Sequence, residues 1–338
     1  MGQTPYMMAM EDLQSAAEGD HEKAHAMMQF HSLKLNMLNE LSKQSETIKR
    51  LINLYHGKNK QLFQKRACEF LEQDEEVSLR PEDVNATLYK VIAKAFFPFT
   101  VFREGREISE GMPSFLCELN RERLGSFIDE IYDSSFLGTL QRDCLRRYPR
   151  IYDAELPLRP ALFIDLTENT ASEKIATRVS SQDFSGLKDL YKDIVEVLGR
   201  QLVLVAGLNN LYHRGDSDEF KPIDGGSLRN LRRYAGRRLS DKPKYVDNCW
   251  YNVSHEVFNF DLRNAIAHNN VNYDGVEQRV TYYPGGGGLE EPEEKAISFL
   301  EFMRLVLVAF REMHNLNHVI KSLMYYRHLI HDRGNNGH

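Results

Sequence analysis

A short stretch near the C-terminal end of the chain, residues 261–270, carries side chains that suit acid–base chemistry on a phosphate group. It places Arg263, Asn264 and His268 within six positions. Histidine titrates near neutral pH and can transfer protons. Arginine stays charged and presents a planar fork of donors to phosphate oxygens. Asn264 can orient either side chain, or a substrate, by hydrogen bonds.

The apolar residues around these three predict a helix that starts near an N-cap at Asn252 or Ser254 and ends before residues 269–270. On that helix Asn264 and His268 share a face, because they lie four residues apart. Arg263 is rotated by about 140° from His268 at the usual pitch. Its long side chain must therefore reach around the helix or face a different partner.

The stretch LRNAIAHNN, with the Tyr-Asp-Gly at 273–275 and a predicted strand at 278–283, resembles the surroundings of the RNxxxH motif in Abi-like HEPN-domain ribonucleases. The resemblance covers about residues 184–329 and is strongest over 260–283. It implies a helical, metal-independent domain of the kind found in toxin, abortive-infection and CRISPR-linked systems. In this resemblance Arg263 and His268 match the two catalytic positions, and Asn264 matches the polar residue after the arginine.

The family mechanism implies an endoribonuclease without a cofactor. The 2′-hydroxyl of RNA attacks the adjacent phosphorus and leaves a 2′,3′-cyclic phosphate and a 5′-hydroxyl. A homodimer is expected, with two motif helices facing one cleft. The expected partners are RNA and an antitoxin or sensor protein, and the expected role is that of a toxin or anti-phage effector. The alternatives are an inactive HEPN-like module for dimerisation or for binding a nucleotide or protein, and a helical partner-binding protein in which the motif is coincidental.

Basic residues are concentrated just before the motif, where the segment 229–244 contains a single acid, Asp241. Four-residue spacing predicts that several of its arginines lie on one helical face, suited to an RNA backbone. Tyr234 and Tyr245 could stack on unpaired bases. The alternative is a solvated face neutralised by the acids of residues 216–219. The candidate RNA-binding residues are Arg229, Arg232, Arg233, Arg237, Arg238 and Tyr234.

The composition is that of an ordinary globular protein, with 42% hydrophobic and 27% charged residues among 338. A net charge of −6 argues against indiscriminate coating of nucleic acid. The cysteines, Cys68, Cys117, Cys144 and Cys249, are scattered, which argues against a thiolate zinc site and favours a reducing cytoplasm. No apolar run predicts a membrane span. His314 and His318 have metal-ligand spacing but lack further ligands, so we interpret them as surface or core residues.

Helical periodicity predicts a mainly α protein in two domains. Residues 1–155 form an N-terminal helical domain of unknown role. Residues 156–182 form a connector, which prolines in 148–173 predict to be extended. Residues 183–332 form a HEPN-like helical bundle with a small β-hairpin after the motif. Helices are predicted at 81–97, 115–132, 137–148, 184–213 and 293–329.

Overall fold

Helices account for 75% of the structure and a small antiparallel sheet for most of the remaining regular elements, as the mainly α prediction requires. The computed structural model describes residues 21–73, 78–100, 108–164, 183–223, 226–247, 251, 257–284 and 293–332, with five further positions before residue 21.

The first half of the chain forms short and medium helices. Their bounds are α1 His21–Lys43, α2 Ser45–His56, α3 Lys60–Leu71, α4 Pro81–Thr100, α5 Ile108–Glu118, α6 Arg121–Asp133, α7 Phe136–Arg147, α8 Arg150–Asp153 and α9 Glu155–Ile164. The helices predicted at 81–97 and 137–148 are confirmed, and the one predicted at 115–132 is divided between α5 and α6.

The second half is built on two long helices. Its elements are α10 Phe184–Arg214, α11 Leu231–Ala235, a 3₁₀ turn Lys242–Tyr245, α12 Phe260–Ala267, β1 Val271–Asp274, β2 Arg279–Tyr282, β3 Lys295–Ser298, α13 Phe299–Tyr326 and a final π turn Arg327–His331. The strands pair in the order β1-β2-β3, all antiparallel. The predicted hairpin is confirmed, and β3 was not predicted.

The centre of the structure is the packing of α10 along α13. Apolar side chains recur at three- and four-residue steps along both helices and are buried on them. Gln201 is 1% exposed and its side-chain amide donates to the carbonyl of Met313 at 3.0 Å, which fixes one helix against the other. Helix α10 is long and apolar enough to cross a membrane, but 89% of its most apolar window is buried within the protein, as in a core helix.

Helix α13 also packs against α4, α5 and α9 from the first half of the chain. Buried residues from both sides of the predicted domain boundary therefore belong to a common hydrophobic cluster. The boundaries of the two proposed domains stay a prediction.

The prediction of an extended connector was wrong for the part that the structure describes, because residues 150–153 and 155–164 are helical. Pro149 occupies the N-cap of α8, and Pro157 lies in the first turn of α9, where a missing N–H costs no helical hydrogen bond. Burial of Leu158 and Leu162 stabilises α9 despite Pro160 within it. Residues 165–182 lie outside the described part.

Two predicted helix starts were also wrong. The motif helix begins at Phe260 rather than after Asn252 or Ser254, both of which lie outside the described residues. The last helix begins at Phe299, because residues 295–298 pair with β2 as a strand. There Ser298 and Glu301 form a reciprocal capping box that fixes the start of α13.

Gly207 tests how tightly α10 packs. A Cβ on Gly207 would lie 2.7 Å from the ring of Phe127, whereas a Cβ on Gly138 in α7 meets nothing within 4 Å. We expect Gly207→Ala to lower the free energy of unfolding by about 1–3 kcal/mol through overpacking. Gly138→Ala should leave it unchanged or raise it by up to about 1 kcal/mol. Urea unfolding of the two variants beside the parent protein measures the difference, and equal stability of the two variants would contradict the packing described.

Candidate functional site

The motif lies on α12, an eight-residue helix with defined ends. Asn259 caps its start by accepting from the backbone N–H of Leu262 at 3.0 Å. His268 is the C-cap, and Asn269 follows in the left-handed conformation at φ 59°. Asparagine tolerates that conformation better than most residues, so the Asn-Asn pair stops the helix directly after the histidine. The predicted helix end is therefore confirmed.

All three motif residues line the same cavity of about 560 Å³. The apolar face of α12, with Leu262 and Ile266, is buried, and α12 packs on α10. Asn264 and His268 share a face as predicted, and Arg263 reaches the same space despite its rotation. Helix α10 lines the opposite side, and residues 235–242 close a third side.

Arg263 is held between two partners. Its Nη2 donates to Glu196 of α10 in a short ion pair, and its Nη1 donates to the side-chain oxygen of Asn264 at 3.3 Å. Its Nε is buried and has no hydrogen-bond partner. One position of the Nε–Nη2 fork is thus taken by a carboxylate and the other, although buried, is unpaired. This fork is the edge of a guanidinium that grips two oxygens of a phosphate.

The cavity is strongly cationic. Its lining contains the five basic residues Arg200, Arg237, Arg238, Lys242 and Arg263, against Glu196 as the only acid among the described lining residues. Arg200 forms an ion pair with Asp143, which does not line the cavity. Arg237 and Arg238 are exposed and form no ion pair with a described acid. An acidic protein thus concentrates positive potential at this place, which favours an anionic ligand.

Lys242 is the buried member of this group, 5% exposed. Its Nζ donates to the carbonyl of Gly199 at 2.5 Å and lies 5.6 Å from the ring centre of Tyr234. The pKa of Lys242 is lowered to about 8, mainly by burial; Glu196 opposes this shift and Arg200 adds to it. An ammonium group beside the motif is therefore close to its titration midpoint in mildly alkaline solution.

The predicted RNA-binding arginines divide into two groups. Arg237 and Arg238 line the cavity with the motif. Arg229, Arg232 and Arg233 are exposed but are not among its lining residues. The prediction of a continuous stripe of arginines on one helical face was wrong, because α11 covers only residues 231–235. The chain bends at Gly236, which turns Arg237 and Arg238 towards α10.

The alternative of a neutralised face is not what the structure shows. Asp218 accepts from the backbone N–H of Leu231 at 2.7 Å, and Asp216 accepts from the backbone N–H of Asp218 at 2.9 Å. These carboxylates cap backbone groups instead of pairing with the arginines of 229–238.

Tyr234 was wrongly predicted as a base-stacking residue. It is fully buried, its ring stacks on Phe220 with centroids 5.2 Å apart, and its hydroxyl donates to the carbonyl of Lys242 at 3.3 Å. It therefore positions the segment that carries Lys242. Tyr245 is half-buried, with the guanidinium of Arg237 6.0 Å from its ring centre.

Three residues of the site were not predicted as functional: Glu196, Arg200 and Lys242. Glu196 and Arg200 are four residues apart on α10, and both interrupt its otherwise apolar face, which was the available signal. Lys242 was counted only as part of the basic segment. Its approach to α10 depends on Gly199, where a Cβ would already lie 3.1 Å from Leu239.

His314 and His318 lie away from this cavity. His314 is 8% exposed, and its Nδ1 shares a 2.8 Å hydrogen bond with the hydroxyl of Tyr148. Burial is the main cause that lowers the pKa of His318, to about 4. The pair was interpreted as surface or core residues, and the structure places His314 in the core and His318 half-buried beside it. Within the described ranges, no group of three or more His, Cys, Asp or Glu side chains is arranged to hold a metal ion.

A comparison of the chain with protein-family models, with curated proteins and with solved structures found no match.

The lowered pKa of Lys242 gives a pH test. The unfolded chain keeps the ordinary pKa of 10.5, so between about pH 8 and 10.5 the unfolded state binds more protons than the folded one. Below about pH 8 the buried amine is charged, and the cost of burying this charge lowers the free energy of unfolding by its full amount. This cost decreases as the pH rises towards 10.5, because the folded protein loses the proton first. We expect the free energy of unfolding of the parent protein, relative to that of Lys242→Met, to rise between about pH 7.5 and about pH 9.5. Urea unfolding at both pH values measures this difference. A difference independent of pH would contradict the titration.

Proposed function

We propose that this protein is a metal-independent endoribonuclease that cleaves RNA by attack of the 2′-hydroxyl on the adjacent phosphorus. The observation that carries the proposal is the shared cavity of Arg263, Asn264 and His268, whose other charged lining residues are arginine and lysine with the exception of Glu196. RNA fits better than DNA because the mechanism requires the 2′-hydroxyl. The cavity supplies charge and proton transfer from side chains alone.

In this mechanism Arg263 binds the scissile phosphate. Its Nε is an unsatisfied buried donor, and its Nη2 is held by Glu196. A phosphate that replaces Glu196 engages the Nε–Nη2 fork with two parallel hydrogen bonds and keeps the charge of the guanidinium compensated. Asn264 holds Nη1 and thereby fixes the plane of the fork. Negative charge that builds on the phosphorane is stabilised at this position.

His268 supplies the proton transfer. It is exposed at the end of α12 and lines the cavity, so its imidazole can meet a backbone phosphodiester that enters from solvent. We assign it the protonation of the leaving 5′-oxygen. The proton of the attacking 2′-hydroxyl needs a separate acceptor, and the neutral His268 of a facing copy provides it in the homodimer that we propose as the active form.

A second candidate function is an inactive module that dimerises or binds a ligand. The ion pair between Arg263 and Glu196 favours it, because a carboxylate already compensates the arginine that catalysis needs. The Glu196 side chain is 51% exposed, however, so that it can move into solvent when a phosphate arrives. Solvent exposure also limits the stability of such a pair to about 1 kcal/mol or less.

The first test is RNA cleavage by the purified protein in EDTA. We expect cleavage to persist, and Arg263→Ala and His268→Ala each to reduce its rate by about 100-fold or more, because each removes a group that acts in the transition state. Arg232→Ala and His213→Ala are matched controls, since both residues are exposed and neither lines the cavity. Circular dichroism confirms that all four variants are folded.

Cleavage that requires a divalent metal ion, or that survives His268→Ala, would reject this mechanism. If the purified dimer is folded but cleaves no RNA of a mixed-sequence pool, the inactive binding module would be the better explanation.

The second test separates the two groups of arginines. Arg237→Gln with Arg238→Gln removes two charges from the cavity, and Arg229→Gln with Arg232→Gln removes two exposed charges outside it. In fluorescence anisotropy with single-stranded RNA, we expect the first double variant to bind more weakly and its salt slope to fall by about 1.4, or about 0.7 per lost phosphate contact. The second double variant should change the slope less. An equal loss in both would show that RNA binding does not centre on the cavity.

A further inference from the structure

A second cavity, of about 480 Å³, is lined mainly by the first half of the chain, with Met324 and His328 from the C-terminal end, and shares no lining residue with the motif cavity. Three helices begin at its wall. Lys60 starts α3, Pro81 starts α4, and Ser135 precedes α7. The first turns of helices present backbone N–H groups that have no partner within the helix. Ser135 is the N-cap of α7 but makes no side-chain hydrogen bond. The first backbone N–H groups of α7 therefore receive no hydrogen bond from their cap residue.

The charge of this cavity is positive. Lys60, Arg142 and His328 line it, and no described aspartate or glutamate does. Arg142 is exposed and forms no ion pair within the described part of the chain. His328 has an acid near it, Asp332, at 3.7 Å. Lys60 donates to the backbone carbonyl of Tyr55 and lies 4.8 Å from its ring centre.

The lowered pKa of His56, which lies near the cavity, is a second sign of the positive potential. The pKa of His56 is lowered to about 4, mainly by burial and in addition by Arg142, Lys60 and Arg146. The cations thus act on a neighbouring group without an acid that offsets them.

Asn85 provides the observation that points to a ligand. It is 3% exposed and lines the cavity, and its Oδ1 accepts from the hydroxyl of Tyr55 and from the amide of Gln141, each at 3.2 Å. Its Nδ2 is buried without a hydrogen-bond partner. Buried polar groups in folded proteins are almost always paired, so an unpaired buried donor on a residue that lines a cavity favours an acceptor supplied by a ligand.

The remaining wall is apolar and aromatic. Leu79 is 56% exposed, and Val84, Met324, Tyr55 and Tyr132 lie around the same space. A cavity that combines cations and an amide donor with an apolar and aromatic wall matches a ligand that has an anionic part and a planar apolar part. Its volume is within the range of small-molecule sites, which is about 300–1,000 Å³.

We propose that this second cavity binds a small phosphorylated molecule with a planar apolar portion, the chemistry of a nucleotide. The phosphate meets Arg142, Lys60 and the Nδ2 of Asn85 at the converging helix starts. The planar portion packs on the wall formed by Leu79 and the tyrosines. This site is separate from the proposed RNA cleavage and does not depend on it.

Isothermal titration calorimetry on the purified protein tests the proposal. The probes are AMP, GMP, CMP and UMP, the four corresponding nucleosides, and inorganic phosphate. We expect saturable binding of at least one nucleotide, about tenfold or more tighter than its nucleoside and than phosphate alone, because both halves of the ligand contribute. Absence of saturable binding for all four nucleotides would overturn the proposal. Equal affinity for inorganic phosphate would overturn the planar half of it.

Two variants locate the binding. Gly138 lines the cavity and has no atom within 4 Å of a built Cβ, so Gly138→Leu fills the space and should abolish binding without disturbing α7. Gly111→Leu is its control, since Gly111 is an exposed helical glycine with equally open surroundings outside the cavity. Arg142→Gln should weaken binding about tenfold or more, and Arg146→Gln, one turn along α7, should weaken it less.

Thermal unfolding confirms that each variant is folded. Arg263→Ala should keep full nucleotide affinity, which separates this cavity from the motif cavity. Nucleotide binding that survives both Gly138→Leu and Arg142→Gln, or that is lost in Arg263→Ala, would overturn the assignment.

Discussion

The site depends on one packing constraint, the burial of α10 along α13. Helix α10 turns apolar side chains to that contact, while the side that α12 and residues 235–242 cover carries charged groups. Glu196 and Arg200 lie there, one turn apart, and Gly199 between them lets the segment with Lys242 come close. Helix α12 rests on the same surface through Leu262 and Ile266. The motif therefore faces a rigid wall.

Charge compensation decides what this wall can accept. A guanidinium that is 24% exposed at its side chain requires an anionic partner, and in the free protein Glu196 provides it. Because Glu196 is the only acid among the described lining residues, the proposed mechanism requires an RNA phosphate to displace a single carboxylate. In the proposed mechanism Arg263 exchanges Glu196 for the phosphate. The ion pair that is lost contributes little to stability, because the Glu196 side chain is exposed to solvent.

Much of the fold follows from the sequence because it rests on local signals. Helix α10 was predicted from Phe184 to its stop at Gly215, and α4, α7 and the hairpin from periodicity, proline and Asp-Gly signals. The errors occur where tertiary contacts override those signals. Helix α9 tolerates Pro160 because its leucines are buried, and β3 forms because residues 295–298 find an edge on β2.

The site was predictable in part for the same reason. Arg263, Asn264 and His268 were found because they are close in sequence, and the structure brings all three to one cavity. Tyr234 was misassigned because a basic neighbourhood says nothing about which ring is buried beneath it. Glu196 lies 67 positions before Arg263, and no local pattern reveals a contact between residues so far apart.

The central claim is that this cavity cleaves RNA through the 2′-hydroxyl, and the chemical ends of the RNA fragments test it most directly. Phosphorus NMR and end-specific labelling of the fragments should show a 2′,3′-cyclic phosphate on one side of the cut and a 5′-hydroxyl on the other. Fragments with 3′-hydroxyl and 5′-phosphate ends would contradict the account, because they require water as the attacking group.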